Sequence, residues 1–215
     1  MLAGESAAGT QVPGFLALGD SYTIGEGVSA QDRWPEQLVE RLDTDGSRVG
    51  APTIIAKTGW TTSELAQAID ATTLHPPYAL VTLMIGVNDQ YQGRAVDYYR
   101  VGFSALLVRA IALAGKRPDR VLVISIPDWG VTRFAHEQGH HAAQVSNAID
   151  AFNAAARDIA ADHHVAWVDV TAVSRTAGAN AGMLSEDGLH PSGAQYAHWT
   201  DVILPAAEAT LRATD

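Results

Sequence analysis

The stretch Leu16-Ala-Leu-Gly-Asp-Ser-Tyr-Thr23 decides the fold of this chain. An apolar run over residues 15–18 ends abruptly at Gly19-Asp20-Ser21, a pattern typical of a buried β-strand that meets a sharp turn. Ser21 therefore lies at the carboxyl end of a strand, which is where open α/β sheets bind their ligands. A plain turn or helix-cap serine is equally compatible with this stretch, so the role of Ser21 depends on the rest of the chain.

Four further apolar runs repeat the pattern of that first strand. Most are continuous and rich in Val and Ile, as expected for parallel strands that are covered on both faces. The five predicted strands are Phe15–Leu18, Thr53–Ala56, Leu80–Ile85, Val121–Ile126 and Ala166–Val170.

Segments with helical periodicity separate these strands. Apolar residues recur at steps of three and four from Val96 to Ala110 and again from Val145 to Ile159. A shorter helix is predicted from about Pro35 to Leu42, because proline suits the first turn of a helix. Strands that alternate with helices predict a parallel sheet with right-handed crossovers.

Two capping boxes predict the starts of two more helices. Thr61-Thr-Ser-Glu64 has the required spacing, and Ser192-Gly-Ala-Gln195 repeats it before a helix that runs towards Leu211. We therefore predict an α/β fold, a three-layer α/β/α sandwich around a five-stranded parallel flavodoxin-like sheet. The sequence shows no linker or repeat, so we expect a single domain over residues 1–215.

Composition and charge restrict the classes of partner. The 215 residues carry a net charge of −10 with scattered basic residues, which argues against nucleic acid or an anionic membrane as the main partner. The chain has no cysteine, so disulfides and cysteine nucleophiles are excluded. No apolar run approaches the ~20 residues of a membrane span. Residues 1–13 show no signal peptide, which favours a cytoplasmic protein but is also compatible with a signal already removed.

Polar residues follow the predicted strands at one edge of the sheet. Ser21 follows the first strand, Gly59 the second and Asn88 the third, while Asp187 and His190 lie three positions apart in a later loop. A histidine can deprotonate a serine hydroxyl, and a carboxylate can orient the histidine. The backbone N–H groups of Ser21 and Gly59 and the amide of Asn88 can stabilise an oxyanion. The order and joint occurrence of these residues suggest acyl transfer.

Taken singly, several of these residues have simpler explanations. Taken alone, Gly59 is more typical of a strand-to-helix turn than of a catalytic site, and Asn88 of a helix cap. Asp128, after the fourth strand, is interpreted as a turn or cap residue and is not assigned a catalytic role.

The blocks Gly19-Asp20-Ser21, Gly59, Gly86-Val-Asn88-Asp89 and Asp187-Gly-Leu-His190-Pro resemble those of the GDSL, or SGNH, hydrolase family. The resemblance spans nearly the whole chain and lies in the ordered combination. It implies a flavodoxin-like sheet and a serine esterase mechanism. The family pattern would make Ser21 the nucleophile, His190 the base and Asp187 its orienter, with Ser21, Gly59 and Asn88 as the oxyanion hole. Tyr22 stands where the family usually has Leu, beside the nucleophile.

The substrate is less well defined by the sequence. We expect a small soluble ester with an acetyl or other short acyl group, hydrolysed without a metal or organic cofactor. By sequence position Tyr22, Trp60, Tyr91 and Trp129 are candidates for the substrate pocket, as are Met84 and Phe134. Ordinary core or surface positions are equally compatible with each of them.

Two other functions are compatible with the same residues. One is an acyltransferase that passes the acyl group to an alcohol or amine. The other is a non-catalytic, flavodoxin-like module that binds a phosphate or flavin at the strand ends. A binding module has no need of an Asp-x-x-His pair beside a serine, and a phosphate site favours more glycine and basic residues.

Overall fold

A parallel β-sheet forms the centre of the protein in the computed structural model, which describes residues 12–44, 46–47 and 49–212. Within these residues the sheet has five strands in the order β2-β1-β3-β4-β5, all of them parallel. The strands are β1 Phe15–Gly19, β2 Thr53–Ala56, β3 Leu80–Met84, β4 Val121–Ile124 and β5 Ala166–Val168. The predicted flavodoxin-like sheet is confirmed.

Three of the predicted strands end earlier than the apolar runs do. β3, β4 and β5 each stop one or two residues before the predicted end, while β1 continues to Gly19. The apolar residues beyond the strands, Ile85, Ile126 and Val170, are buried in the loops that leave the carboxyl edge of the sheet. These residues are apolar because they are buried in the loops, and not because they belong to a strand.

The sequence of each strand matches its place in the sheet. All residues of β1, β3 and β4 are buried, whereas edge strands β2 and β5 each have exposed residues. Leu18 of β1 pairs with Ile55 on one side and Leu83 on the other. Continuous apolar runs therefore occupy the centre, where helices cover both faces.

Helices cover the two faces of the sheet. In the described part of the chain they are α1 Ser21–Ile24, α2 Trp34–Thr44, α3 Thr62–Ala71, α4 Val87–Tyr91, α5 Val96–Leu113, α6 Arg133–Glu137, α7 Ala142–Asp162, α8 Thr171–Ala177 and α9 Gly193–Arg212. α2 packs against α9, while α5 packs against both α3 and α7. The predicted helices correspond to α2, α3, α5, α7 and α9, so the three-layer arrangement is confirmed.

One of the two predicted capping boxes is complete. The Thr61 N–H donates to Glu64 Oε2 at 2.8 Å at the start of α3. At the start of α9 the Gln195 N–H donates to Ser192 Oγ at 3.4 Å, but the Gln195 side chain donates to the Met183 carbonyl at 2.7 Å. The second box is therefore only half formed, because the Ser192 N–H donates to the Met183 carbonyl at 2.9 Å and not to the Gln195 side chain.

Some sequence predictions concern the chain termini. Residues 1–11 and 213–215 lie outside the described residues, and the signal-peptide prediction falls largely on the first of these segments. None of the helices in the described ranges combines the length and the apolar character needed to cross a lipid bilayer.

Candidate active site

Ser21 is the first residue of α1, immediately after the turn that ends β1. Asp20 caps this helix, since its Oδ1 accepts a hydrogen bond from the Tyr22 N–H at 3.0 Å. Only glycine fits at position 19, because a Cβ there would lie 2.7 Å from the carbonyl oxygen of Met84 in the neighbouring strand. Gly-Asp-Ser thus brings the chain from a tightly packed strand into a capped helix that begins with the serine.

Asp187 and His190 form a pair within one loop. His190 Nδ1 lies 2.6 Å from Asp187 Oδ2, and Asp187 Oδ1 accepts the N–H groups of Leu189 and His190 at 2.8 and 3.0 Å. Burial raises the pKa of Asp187, but hydrogen bonds from the His190 ring, the Leu189 N–H, Ser185 Oγ and the His190 N–H outweigh it and lower the pKa to about 2. Asp187 is therefore a carboxylate that can orient the imidazole and stabilise its protonated form.

The loop that carries this pair is fixed at both ends and in the middle. The Ser185 N–H donates to the His190 carbonyl at 2.8 Å and closes the loop on itself. At its centre the Phe134 N–H donates to the Gly188 carbonyl at 3.0 Å, and Arg133 Nη2 donates to the Glu186 carbonyl at 2.8 Å. Helix α6 therefore holds the loop in place.

A cavity of about 210 Å³ brings the predicted residues together. Ser21, Gly59, Asn88 and His190 all line it, although they come from four separate loops and helix starts. The complete lining is Ser21, Tyr22, Thr58, Gly59, Val87, Asn88, Tyr91, Trp129, Phe134, Leu189 and His190. A hydroxyl, an imidazole and candidate oxyanion donors thus face one apolar space.

Both predicted oxyanion donors from outside α1 have defined geometry. Asn88 lies in α4, and its Nδ2 donates to the Trp60 carbonyl at 2.9 Å. An amide nitrogen has two N–H groups, so this bond orients the amide and leaves a second donor. Gly59 has φ +86°, a left-handed conformation that glycine adopts without strain.

A buried acidic side chain joins α4, which carries Asn88, to α3, which follows the turn that contains Gly59. Asp89 accepts from the Thr62 N–H and from Thr62 Oγ1, both at 2.9 Å, so that α4 is tied to α3. Burial raises the pKa of Asp89, against the lowering effect of these two hydrogen bonds and of Arg94.

Aromatic rings form one wall of the cavity. The Trp129 ring lies 5.3 Å from Tyr91, 6.5 Å from Phe134 and 4.9 Å from His140, measured between ring centroids. Tyr22 also lines the cavity, and its ring centroid is 5.3 Å from that of His190. Four of the six aromatic and Met candidates therefore line the cavity.

Two of those candidates do not line it. The side chain of Trp60 is partly buried against the hydrophobic core, and only its carbonyl contributes, as the acceptor for Asn88. Met84 is fully buried in β3. Position next to a strand end places a residue near the edge but does not determine which way its side chain points.

Sequence reasoning missed the supports of the aromatic wall. Asp128 is a cap, as interpreted, since it accepts from the Gly130 N–H at 2.9 Å, but it also accepts from Ser146 Oγ at 2.6 Å and from Arg175 Nε at 2.9 Å. This network fixes the short 3-10 helix Trp129–Val131. The only sequence signal was the place of Asp128 after a predicted strand.

No group of three or more His, Asp or Glu side chains in the described ranges is arranged to hold a metal ion.

Comparison with known protein families gives one match over most of the chain. The family described as GDSL-like Lipase/Acylhydrolase matches residues 17–198. Among curated protein sequences, none matches the chain.

Solved structures with the same fold share little sequence with this chain. The TesA structure is 22% identical, with a TM-score of 0.69 over 89% of this chain and 96% of that one. A lipase from a goat rumen metagenome is 19% identical, with a TM-score of 0.71 over 91% and 97%. A mutant of Axe2, an acetyl-xylooligosaccharide esterase from Geobacillus, is 18% identical, with a TM-score of 0.69 over 91% and 94%.

Proposed function

The chain belongs to the GDSL-like lipase/acylhydrolase family, and we propose that it hydrolyses small carboxylic esters through an acyl-enzyme on Ser21. Membership of this family makes the chain an ester-bond hydrolase and argues against the non-catalytic binding module. The observation that carries the finer proposal is the shared cavity: Ser21 and His190 both line it, while His190 is held by Asp187 at 2.6 Å.

His190 is the proposed base. Its Nδ1 is engaged by Asp187, which leaves Nε2 as the nitrogen that can accept the proton of Ser21. Because the pKa of Asp187 is lowered to about 2, its carboxylate is charged at every pH at which an imidazole can act as a base. The hydrogen bond between Asp187 and His190 is thus already formed, with a charged carboxylate, before substrate binds.

The first step forms the acyl-enzyme. Ser21 Oγ bonds to the ester carbonyl carbon while the imidazole of His190 takes the hydroxyl proton. The N–H groups of Ser21 and Gly59 and the side-chain amide of Asn88 donate to the oxyanion, and a single such donor is typically worth about 3 kcal/mol. The carbon–oxygen bond to the alcohol then breaks, and the imidazolium proton passes to the leaving alkoxide.

The second step releases the acid. Water attacks the acyl carbon while His190 takes one of its protons, and the same oxyanion donors stabilise the second tetrahedral intermediate. The bond between the acyl carbon and Ser21 Oγ then breaks, and the proton returns to the serine. The imidazole therefore acts as base and acid in turn.

The size of the cavity supports a small ester. A volume of about 210 Å³ accommodates a short acyl group with a compact alcohol. One structural relative with this fold, Axe2, is an acetyl-xylooligosaccharide esterase. We therefore propose acetyl and other short acyl esters as substrates, with water as the acceptor.

The test is the replacement Ser21→Ala. We expect kcat for 4-nitrophenyl acetate to fall by at least about 10³-fold, since the acyl-enzyme cannot form, while the circular dichroism spectrum stays unchanged. Ser104→Ala in α5, outside the cavity, is the matched control and should retain full activity. A fluorophosphonate should label the wild-type protein at Ser21 alone. Ester turnover retained by Ser21→Ala would refute the proposed nucleophile, and acyl transfer to an added alcohol in preference to water would favour the acyltransferase.

A further inference from the structure

We propose that Gln90 positions the indole of Trp129, and that the aromatic wall built in this way selects esters that carry a flat aromatic ring. This proposal rests on the esterase function proposed above and assigns the kind of group that the cavity prefers. Gln90 acts through Trp129 and does not itself line the cavity. It is therefore a positioning residue.

The contact between the two residues is direct. Trp129 Nε1 donates to Gln90 Oε1 at 2.7 Å, and Trp129 is only 4% exposed. An indole has a single N–H donor, and when it is buried it needs an acceptor. Gln90 supplies that acceptor and fixes the rotation of the indole about its side-chain bonds.

Gln90 also links the wall to the oxyanion hole. It lies in the five-residue helix α4 between Asn88, the proposed oxyanion donor, and Tyr91, the outer ring of the wall. Asn88 is oriented by the Trp60 carbonyl and Gln90 orients Trp129, so α4 fixes both sides of the cavity. A substrate ring held by the wall is thereby placed at a constant distance from the donors.

The geometry of the wall suits an aromatic ring. Tyr91, Phe134 and His140 all meet Trp129 at steep angles of 68°, 61° and 86° between ring planes. Both rings line the cavity, with Tyr91 54% exposed and Trp129 only 4% exposed. The cavity volume of about 210 Å³ exceeds the roughly 150 Å³ in which an engineered apolar cavity binds benzene.

Ring-on-ring contacts distinguish an aromatic group from an alicyclic one of similar size. Each favourable aromatic pair adds a preference of about 2- to 10-fold beyond the burial of equal apolar area. A cyclohexyl group buries a similar area but has no π-system for the rings to meet. An aromatic substrate that contacts Trp129 and one further ring should therefore be preferred by about 10-fold.

The experiment compares benzyl acetate with cyclohexylmethyl acetate. Both are acetates of primary alcohols, and dividing each kcat/KM by the rate of hydroxide hydrolysis of the same ester removes the remaining difference in reactivity. We expect a corrected ratio of about 10 for the wild-type protein. Ethyl acetate, which has no ring, measures the basal activity.

Substitutions test whether the preference for benzyl acetate depends on the Trp129 ring and on its support by Gln90. Trp129→Leu should bring the ratio close to 1, whereas Trp167→Leu, a tryptophan outside the cavity, should leave it unchanged. Gln90→Met should lower the ratio about threefold or more through a higher KM for benzyl acetate. Gln90→Glu keeps an acceptor oxygen for the indole N–H and should keep the wild-type ratio. Gln92→Met changes an exposed glutamine just after the end of α4 and should have no effect on the ratio.

A purely structural role for Gln90 predicts equal losses for all three esters, and this outcome would overturn its assignment as a positioning residue. A wild-type ratio near 1, with normal hydrolysis of ethyl acetate that depends on Ser21, would overturn the aromatic preference and leave the esterase function intact.

A binding measurement tests the preference without turnover. In Ser21→Ala, benzyl alcohol should bind at least about fivefold tighter than cyclohexylmethanol, measured by tryptophan fluorescence, and equal affinities would also overturn the preference.

Discussion

Asp20 is a buried acid beside the proposed nucleophile, and the mechanism does not use it as an acid or base. The residue is fully buried; its Oδ1 caps α1, and its Oδ2 has no hydrogen-bond partner among the described residues. Burial raises the pKa of Asp20 to about 7, against the lowering effect of the hydrogen bond from the Tyr22 N–H and with a further rise from the Asp89 carboxylate. The cap that places Ser21 is therefore held by an acid that is easily protonated.

This arrangement predicts a pH-dependent effect of Asp20→Asn on stability. An aspartate in the unfolded chain titrates near pH 3.9, so between about pH 4 and 7 the folded protein holds a proton that the unfolded chain has lost. Wild-type stability should consequently fall as pH rises through this window, by up to about 4 kcal/mol from this residue. Asparagine keeps a capping oxygen and cannot ionise. The stability of Asp20→Asn relative to the wild-type protein should therefore increase as the pH rises through this window.

Urea unfolding of both proteins at pH 4.5, 6 and 8 measures that difference. Because all other groups are shared, their titration cancels in the comparison. A difference that stays constant across the three pH values would contradict the raised pKa.

At this scale the sequence predicted which residues meet but not how they are supported. Ser21, Gly59, Asn88 and His190 line one cavity because the first three follow strands and His190 lies in a loop at the same edge. Side-chain direction was not predictable, since whether Trp60 faces the cavity or the core depends on packing between elements. The same is true of Gln90, whose partner Trp129 is 39 positions away in the chain.

Among the elements, α6 and the loop that carries Asp187 and His190 depend on each other. Gly188 lies at the centre of that loop with φ +69°, and a Cβ there would lie 2.5 Å from Arg133 Nε. Arg133 in turn donates to the Glu186 carbonyl. The glycine therefore serves both the left-handed backbone and the close approach of the guanidinium group.

We expect Gly188→Ala to destabilise the protein more than Gly93→Ala. Both glycines have a left-handed φ, +69° and +72°, but a Cβ at Gly93 meets nothing within 4 Å. Gly93→Ala should therefore cost only the backbone strain of about 1 kcal/mol. Gly188→Ala should lose about 1 kcal/mol more, because Arg133 must move away from the Glu186 carbonyl, and kcat should fall as the loop shifts.

A double-mutant cycle isolates that contact. In an Arg133→Ala background the added methyl group has no guanidinium to displace, so the cost of Gly188→Ala should fall to that of Gly93→Ala. Chemical denaturation gives the four free energies of unfolding. Additive costs would show that the loop does not depend on Arg133.

The sequence predicted long elements well and short ones poorly. α5 and α7 span enough residues for the three- and four-residue recurrence of apolar side chains to be visible. Helices α1, α4, α6 and α8 have four to seven residues, too few to show a period, and caps and tertiary contacts determine them. Two of them, α1 and α4, carry proposed catalytic residues, so the site was predicted from strand ends and not from the helices that build it.

In the whole molecule, the last helix packs against α2 and against the sheet. α9, the last helix, lies against α2 and contacts β3, β4 and β5. Gln37 Nε2 of α2 donates to the Gly193 carbonyl at 3.0 Å, and Arg41 bonds to Asp201. Trp34 in α2 and Trp199 in α9 are both fully buried in the same core.

This packing predicts that the chain unfolds as one unit, as the expected single domain over residues 1–215 requires. Ile203 of α9 is fully buried, and Ile203→Ala should cost about 2–5 kcal/mol. If the sheet and its two helix layers are one cooperative unit, tryptophan fluorescence and far-ultraviolet circular dichroism should give a single, coincident urea transition before and after the substitution. Both probes should shift together to lower urea, because removal of α9 from the sheet exposes α2 and the central strands at once. A fluorescence transition that separates from the loss of helix in the variant would show that α9 unfolds alone, and would divide the chain into more than one folding unit.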